Sequence, residues 1–491
     1  MRQASRPRLD EWVWDLLHEA LDLYGDDRGA AEMLRHHIGR FEEPLRVAIA
    51  GPSKSGKSTL VNAILGEEIA PVEVGEGKNA FTWYQDGPEP HITAYSGNGS
   101  SRELPVVRST GGIRIDIGGW RPDRVNDIVV TWPTRALRHA ILLDTPAVAA
   151  SEEDGQGSTI DRVLSDADAV LYLTPDVRSA DLRILQSAQE GDVARAAPIN
   201  VLLVLSRADE IGGGRIDALL AAKQLARQHY RDPQVNSMCM GVTALGGLIA
   251  LASRLLSEGD FTALKTMANA PRADIEVFLL STDRVVGNEF PVPIATDIRR
   301  GLLDRFGIHG IRLATTLIRT GSDTRAKLAA EMVKRSGLAE LRESMNQYFI
   351  ERRDVLKARS ALVALDFMLR SQPRRGAAEL LAHVERIIAG SHDFSELRLL
   401  ATLRATASGF DSELAAEAHR LVGGNGINMA ARLGVDHDAN GVELWALSNE
   451  ALYRWQNQAE DPRLSLNQQR AARVVVRSCE GLLADLAYDR R

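Results

Sequence analysis

One stretch constrains this chain more than any other: Gly51-Pro52-Ser53-Lys54-Ser55-Gly56-Lys57-Ser58, set between the apolar run LRVAIA and the helical pattern TLVNAIL. It satisfies GxxxxGK[ST] in the strand-then-helix setting that gives this pattern its meaning. The glycines let backbone N–H groups curl round a phosphate, and the helix N-terminus adds partial positive charge. Gly51, Ser53, Lys54, Ser55, Gly56, Lys57, Ser58 and Thr59 are therefore assigned to phosphate binding. Lys57 is expected to reach the β and γ phosphates, with the Ser58 hydroxyl on Mg2+.

A phosphate cradle of this kind needs a buried parallel sheet, and the chain supplies one. Continuous apolar runs follow at DIVVTW, AILLDTP, DAVLYLTP, NVLLVLSRAD and CMGVTA, separated by helix-sized stretches. TWYQDGPEPHITAY reads as a hairpin around Asp86-Gly87. After about Thr243 the strand pattern stops and Ala/Leu/Arg-rich helical stretches continue almost to the C-terminus. Before the first strand, Asp10 is a plausible N-cap for a helix with Val13, Leu16, Leu17, Leu21 and Tyr24 along one stripe. The expected fold is an α/β P-loop domain, mostly parallel with helices on both faces, plus an all-α neck or stalk bundle.

Asp144 ends the run AILLD, where an acid near Mg2+ is needed, and Ala147 follows in the loop where a γ-phosphate would be sensed. Ser206-Arg207-Ala208-Asp209 is a variant of [NT]KxD. An Asp at that point accepts hydrogen bonds from both N1–H and the exocyclic amine of guanine, and the Arg207 stem can cover the base face. Val242-Thr243-Ala244 fits the backbone element that meets guanine O6. The expected ligands are GTP or GDP with Mg2+.

Composition narrows the rest. A net charge of -7 argues against general nucleic-acid binding. The only cysteines, Cys239 and Cys479, lack metal or disulfide spacing. The acids in EWVWDLLHEALDLYG exclude a signal-peptide core, and no run of 18 apolar residues is present, so a cytoplasmic protein is expected.

Together GKSTLVNAILG, DTPA, SRAD, VTA and SGLAELRESMNQYFIERRDVLKA resemble the dynamin-like GTPases of bacteria, in particular the isoniazid-inducible group of mycobacteria and its shorter member. The resemblance covers nearly the whole chain. It implies an N-terminal neck helix over 1–40, a G domain over 41–350 and a helical neck or stalk over 351–491. It further implies peripheral binding to a lipid bilayer on the inner face of the cell membrane, and pairing through G domains as a homo- or hetero-oligomer.

Three residues depart from that family's pattern. Lys54 stands where many relatives have Ser; it is either a cis-acting charge on the phosphates or a solvated lysine. Thr82, the one threonine between Leu60 and Ile92, is the catalytic candidate in switch I; in the register that counts back four residues from it, Lys78 takes the place of the switch I Thr and Thr82 is a strand residue, and both registers stay open. Ala147 replaces Gly, keeping the N–H but losing the freedom to pass through positive φ. Two functions remain open: a slow GTPase using Lys57, Lys54 and Mg2+, or a nucleotide-binding structural partner of an active sibling. An ATP-dependent or signalling NTPase without membrane action is the third. Candidate membrane loops are Ser371 to Gly376, with Arg374 and Arg375 worth ~1 kcal/mol each at an anionic surface, and Leu421 to Gly434, with Ile427 and Met429. Both also read as ordinary interhelical turns. Trp12 and Trp14 read as neck packing.

Overall fold

The computed structural model describes residues 8–70, 80–109, 112–114, 124–148, 159–187, 200–211, 217–404, 409–436 and 438–489. Its centre is a nine-stranded sheet in the order β11-β10-β9-β1-β8-β2-β7-β3-β4. These strands are β1 (Leu45–Ala50), β2 (Phe81–Asp86), β3 (His91–Ser96), β4 (Ser101–Leu104), β7 (Val125–Trp132), β8 (Ala140–Asp144), β9 (Ala169–Thr174), β10 (Val201–Leu205) and β11 (Gly241–Ala244). A separate pair, β5 (Val107–Ser109) and β6 (Gly112–Arg114), lies outside it. Strands β11, β10, β9, β1 and β8 pair in parallel.

Their continuous apolar sequences follow from burial on both faces. Val47 and Ile49 enter one core with Leu142, Leu60 and Val61, while Ala48 and Ala50 enter another with Leu143, Val170 and Tyr172. The period-2 alternation of a strand divides adjacent residues between the two layers.

The Asp86-Gly87 turn does not form a hairpin. β7 lies between β2 and β3, parallel to β2 and antiparallel to β3. The loop Gly87-Pro88-Glu89-Pro90 spans two strand spacings, about 10 Å, which four extended residues cover easily. Its two prolines have no N–H to give to a tight turn. Gly87 N–H and the Asp86 carboxylate instead attach to β7 and the residues after it, at Trp132 O (3.2 Å) and Thr134 N (3.0 Å).

The first helix, α1 (Leu9–Tyr24), has Arg8 as its N-cap, two residues before Asp10, with the Arg8 N–H held by Glu11 Oε2 at 2.9 Å. Val13, Leu16, Leu17, Ala20 and Tyr24 form its buried stripe. A second helix, α2 (Arg28–Arg40), is capped by Asp27. Both pack with the helices Arg353–Ser371 and Ala377–Gly390 in one apolar cluster. Trp14 meets Phe41 edge-on with ring centres 6.1 Å apart, the packing role expected of it.

This neck is fastened below the sheet, at the end opposite the phosphate loop. Lys357 donates to the carbonyls of Arg40 (2.7 Å) and Phe41 (3.2 Å), closing the C-terminus of α2. Arg40 reaches the buried Asp168 at 2.6 Å, and Asp168 also accepts the Arg46 N–H of β1 at 3.0 Å. A buried pair of this geometry is costly to break from one side, on the order of 3–5 kcal/mol.

Two further helical bodies complete the chain. Residues 247–336 build their own core around Leu264, Phe306, Ile311 and Leu328. The C-terminal helices end in a long pair, Gly441–Glu460 and Leu466–Asp489, with Trp455 fully buried.

Candidate nucleotide site

The phosphate loop joins β1 to α3 (Lys57–Leu65). Its first glycine is required by close packing: Gly51 has φ 145°, and a Cβ there would stand 2.1 Å from the Leu173 carbonyl oxygen. Lys57 Nζ donates to the carbonyls of Gly51 (3.0 Å) and Pro52 (3.1 Å), so its ammonium lies within the curl of the loop. Ser53 and Lys54 are exposed at the rim, while Ser55 is buried and Thr59 half-buried.

At the metal end, Ser58 Oγ donates to Asp144 Oδ2 at 2.7 Å. The parallel pairing of β8 with β1 produces this meeting, because it brings Asp144 to the strand end beside Ile49. Thr82 lies in β2 directly opposite Asp144, inside the strand ladder. Lys78 falls outside the described residues.

The loop after Asp144 lies back across the phosphate loop. Thr145 Oγ1 donates to Ile49 O at 3.1 Å and Val148 N–H to Gly51 O at 3.1 Å. Ala147, between them, is exposed. Among the described residues only Lys54 (φ 58°) and Arg207 (φ 53°) are non-glycine residues with positive φ, so alanine fits this arrangement without strain.

Those two unusual residues touch. Arg207 Nη2 donates to the Lys54 carbonyl at 3.0 Å, and its Nη1 donates to Glu210 Oε1 at 3.0 Å. The SRAD turn is thereby tied to the phosphate loop, a contact that sequence spacing does not reveal. Ala208 N–H donates to Leu245 O at 3.1 Å, linking that turn to the end of β11. Ala244 is buried there, with Val242 and Thr243 half-buried. Gly246 N–H donates to Ser336 O at 2.8 Å, and Gly337, at φ 82°, would place a Cβ 2.2 Å from Ala244 O. The KRSGLAEL segment therefore braces the loop after β11 from behind.

Asp209 is half-buried beside Gly246. Burial pushes its carboxyl above the ordinary range; a backbone hydrogen bond and then His309 oppose that rise. His309 comes from the helix Thr296–Arg319, which breaks at Gly307 where it meets Leu248. Sequence reasoning missed His309; its one signal was the glycine at the break.

These residues fit a magnesium nucleotide. Ser58 and Asp144 offer hard oxygen donors of the type Mg2+ takes. Ser55 Oγ, Ser206 Oγ and Thr243 Oγ1, at or just beyond the C-terminal ends of β1, β10 and β11, are buried with no partner among the described residues, as hydroxyls facing a polar ligand would be.

Comparison with known proteins gives the family. Residues 47–205 match the Dynamin family. Isoniazid-induced protein IniC of Mycobacterium tuberculosis (strain H37Rv) is 36% identical over 487 residues, covering 97% of this chain and 98% of that protein.

The chain belongs to the bacterial dynamin-like family.

More distant likenesses accompany it. The tRNA modification GTPase MnmE of Halorhodospira halophila is 26% identical over 231 residues, 46% of this dynamin-like chain and 38% of that enzyme. A solved structure described as an oligomerised bacterial dynamin pair aligns over 99% of this chain and 76% of its own, at 12% identity and a TM-score of 0.32. That superposition is too loose to bear on function.

The two candidate membrane loops of this dynamin-like chain are placed quite differently from a free tip. Arg374 bonds to Asp26, lies 3.4 Å from Asp27 and stacks on the Tyr24 ring at 4.7 Å, so it is committed to the neck; Arg375 is exposed. The stretch from Leu421 to Gly434 docks on the turn between the helices Leu338–Met345 and Arg353–Ser371. Arg352 donates to Gly423 O at 2.5 Å, Gln347 to Gly424 O, and Ile427 N–H to Glu351 Oε2 at 3.1 Å. Leu421 and Leu433 are buried, Met429 is half-buried and Ile427 is exposed. Among the described residues no helix is long and apolar enough to cross a membrane.

Proposed function

We propose that this dynamin-like protein is a slow GTPase acting at the inner face of the cell membrane and pairing with dynamin-like partners through its G domain. The observation that carries the catalytic reading is the 2.7 Å Ser58–Asp144 hydrogen bond. It keeps both metal-end residues together although Ala147 departs from the family pattern.

When bound, Mg2+ would neutralise charge on the β and γ phosphates, held by Ser58 with Asp144 behind it. Lys57 moves its ammonium from the Gly51 and Pro52 carbonyls to the phosphates. The loop amides and the α3 N-terminus stabilise negative charge from below. Lys54, its backbone pinned by Arg207, adds a charge at the rim. Asp209 selects guanine through two accepted hydrogen bonds, with the Arg207 stem against the base.

The second reading, a nucleotide-bound partner of an active sibling, draws on the Val148–Gly51 contact at 3.1 Å. An alanine beside that clasp resists the flip that releases it. Phosphate release by purified protein, with and without anionic liposomes, tests the proposal against a Lys57→Ala control. Turnover above the control, and faster on liposomes, is expected. Turnover equal to the control would leave the partner reading. A rate indifferent to liposomes, with no sedimentation on them, would remove the membrane half.

A further inference from the structure

Tyr84 is completely buried in β2, and its hydroxyl has no hydrogen-bond partner among the described residues. Leaving such a group unpaired costs roughly 1–3 kcal/mol, and a phenyl ring in its place would remove that cost. A destabilising hydroxyl at the centre of a close-packed layer calls for a partner that arrives later.

Its position indicates which partner. β2 runs antiparallel to β8, with Thr82 opposite Asp144 and Tyr84 opposite Leu142. Side chains two apart on a strand share a face, so Tyr84, Leu142 and Asp144 all face the same layer. That layer is covered by α3: Tyr84 belongs to one core with Leu60 and Val61, and Ser58, just before them, reaches Asp144. Tyr84 thus sits one strand pair beneath the metal end of the site. Among the described residues Asp144 is also the one charged group whose field reaches the phenol, which burial in the first place keeps firmly protonated and able to donate.

We infer that Tyr84 is a positioning residue for the metal end of the site: its O–H donates to Asp144 when that carboxylate turns from Ser58 toward the hydration shell of a bound Mg2+. The inference rests on the nucleotide reading above and adds a residue to it. Groups that orient a metal-site carboxylate from behind typically change metal affinity by about 10–100-fold when removed. Tyr84 supplies one such bond, a hydroxyl donating to an ionised carboxylate, and an effect of about tenfold is expected.

The test is release of a fluorescent GDP from the full chain as Mg2+ is titrated, with each protein referred to its own rate in EDTA. Mg2+ should slow release from the wild type. Tyr84→Phe should need about tenfold more Mg2+ for half the effect, while its metal-free melting temperature equals or exceeds the wild-type value. Equal Mg2+ midpoints would overturn the role of Tyr84. So would a lower melting temperature in Tyr84→Phe, since the hydroxyl would then be holding the resting fold. A wild type that binds no fluorescent GDP would overturn the nucleotide reading itself, and one whose GDP release ignores Mg2+ would overturn its magnesium part; either takes this inference with it.

Discussion

Removing Arg432 should loosen the joint between the stretch from Leu421 to Gly434 and the turn after the helix Leu338–Met345. Arg432 Nη1 and Nη2 donate to the two oxygens of Glu396 at 2.6 and 3.0 Å, and Nε donates to Ile427 O at 3.1 Å. Ser478 Oγ adds a third bond to Glu396 at 2.7 Å. The Glu396 side chain is 6% exposed. Burial alone would raise its carboxyl; the His392 hydrogen bond and Arg432 outweigh it and hold the group down from 4.5 to about 2. Such a depression is worth on the order of 3 kcal/mol at neutral pH. Because the folded value is depressed, that stability is fully present above about 4.5 and is lost as pH falls toward 2.

Arg432→Leu leaves the buried Glu396 carboxylate without its guanidinium, held only by Ser478 and His392, and the expected loss is about 3–5 kcal/mol. It also frees the loop that clasps Arg352 and Glu351. Urea denaturation of the full chain, followed by far-UV circular dichroism, measures that loss. The Arg432→Leu, Glu396→Leu double variant should recover most of the loss, since it leaves no lone charge. A single variant within about 1 kcal/mol of wild type, or a double variant no more stable than the single, would refute the reasoning.

Three other expectations are independent of that joint. Guanine binding should weaken on acidification at a higher pH than an ordinary carboxylate would dictate, because burial raises Asp209 and only its ionised form accepts both guanine donors; His309→Gln should move that loss higher still, read by GDP affinity against pH. Gly337→Val should destabilise the loop after β11 by at least about 1–2 kcal/mol, visible as a lower melting temperature, since its Cβ would meet the Ala244 carbonyl at 2.2 Å. Arg374→Glu should lower neck stability by repelling Asp26 and Asp27, with liposome sedimentation responding to Arg375→Glu instead.

Local patterns in the chain carried much of this. The phosphate loop, Asp144, SRAD and VTA are each set by a strand end, and a buried parallel strand announces itself by an unbroken apolar run. What stayed hidden depends on partners distant in sequence. Nothing in TWYQDGPEPHITAY says that β7, some forty residues later, will lie between its two halves. The Arg207–Lys54 contact, the approach of His309 and the unpaired Tyr84 hydroxyl arise from packing between separate elements. Arg374 looked available because its acids, Asp26 and Asp27, lie at the other end of the chain. LVGGNGIN has the composition of a free loop, yet its carbonyls and amides are taken by Arg352, Gln347 and Glu351.

The central claim is that an intact phosphate and metal end supports hydrolysis, slowed by alanine in the sensing loop. The most direct measurement is GTP turnover in Mg2+ by the wild type, Ala147→Gly and Lys57→Ala side by side. The account predicts turnover in the wild type above Lys57→Ala, and faster turnover in Ala147→Gly, whose loop regains the positive φ values open to glycine. Wild-type and Ala147→Gly rates both at the Lys57→Ala level would contradict it.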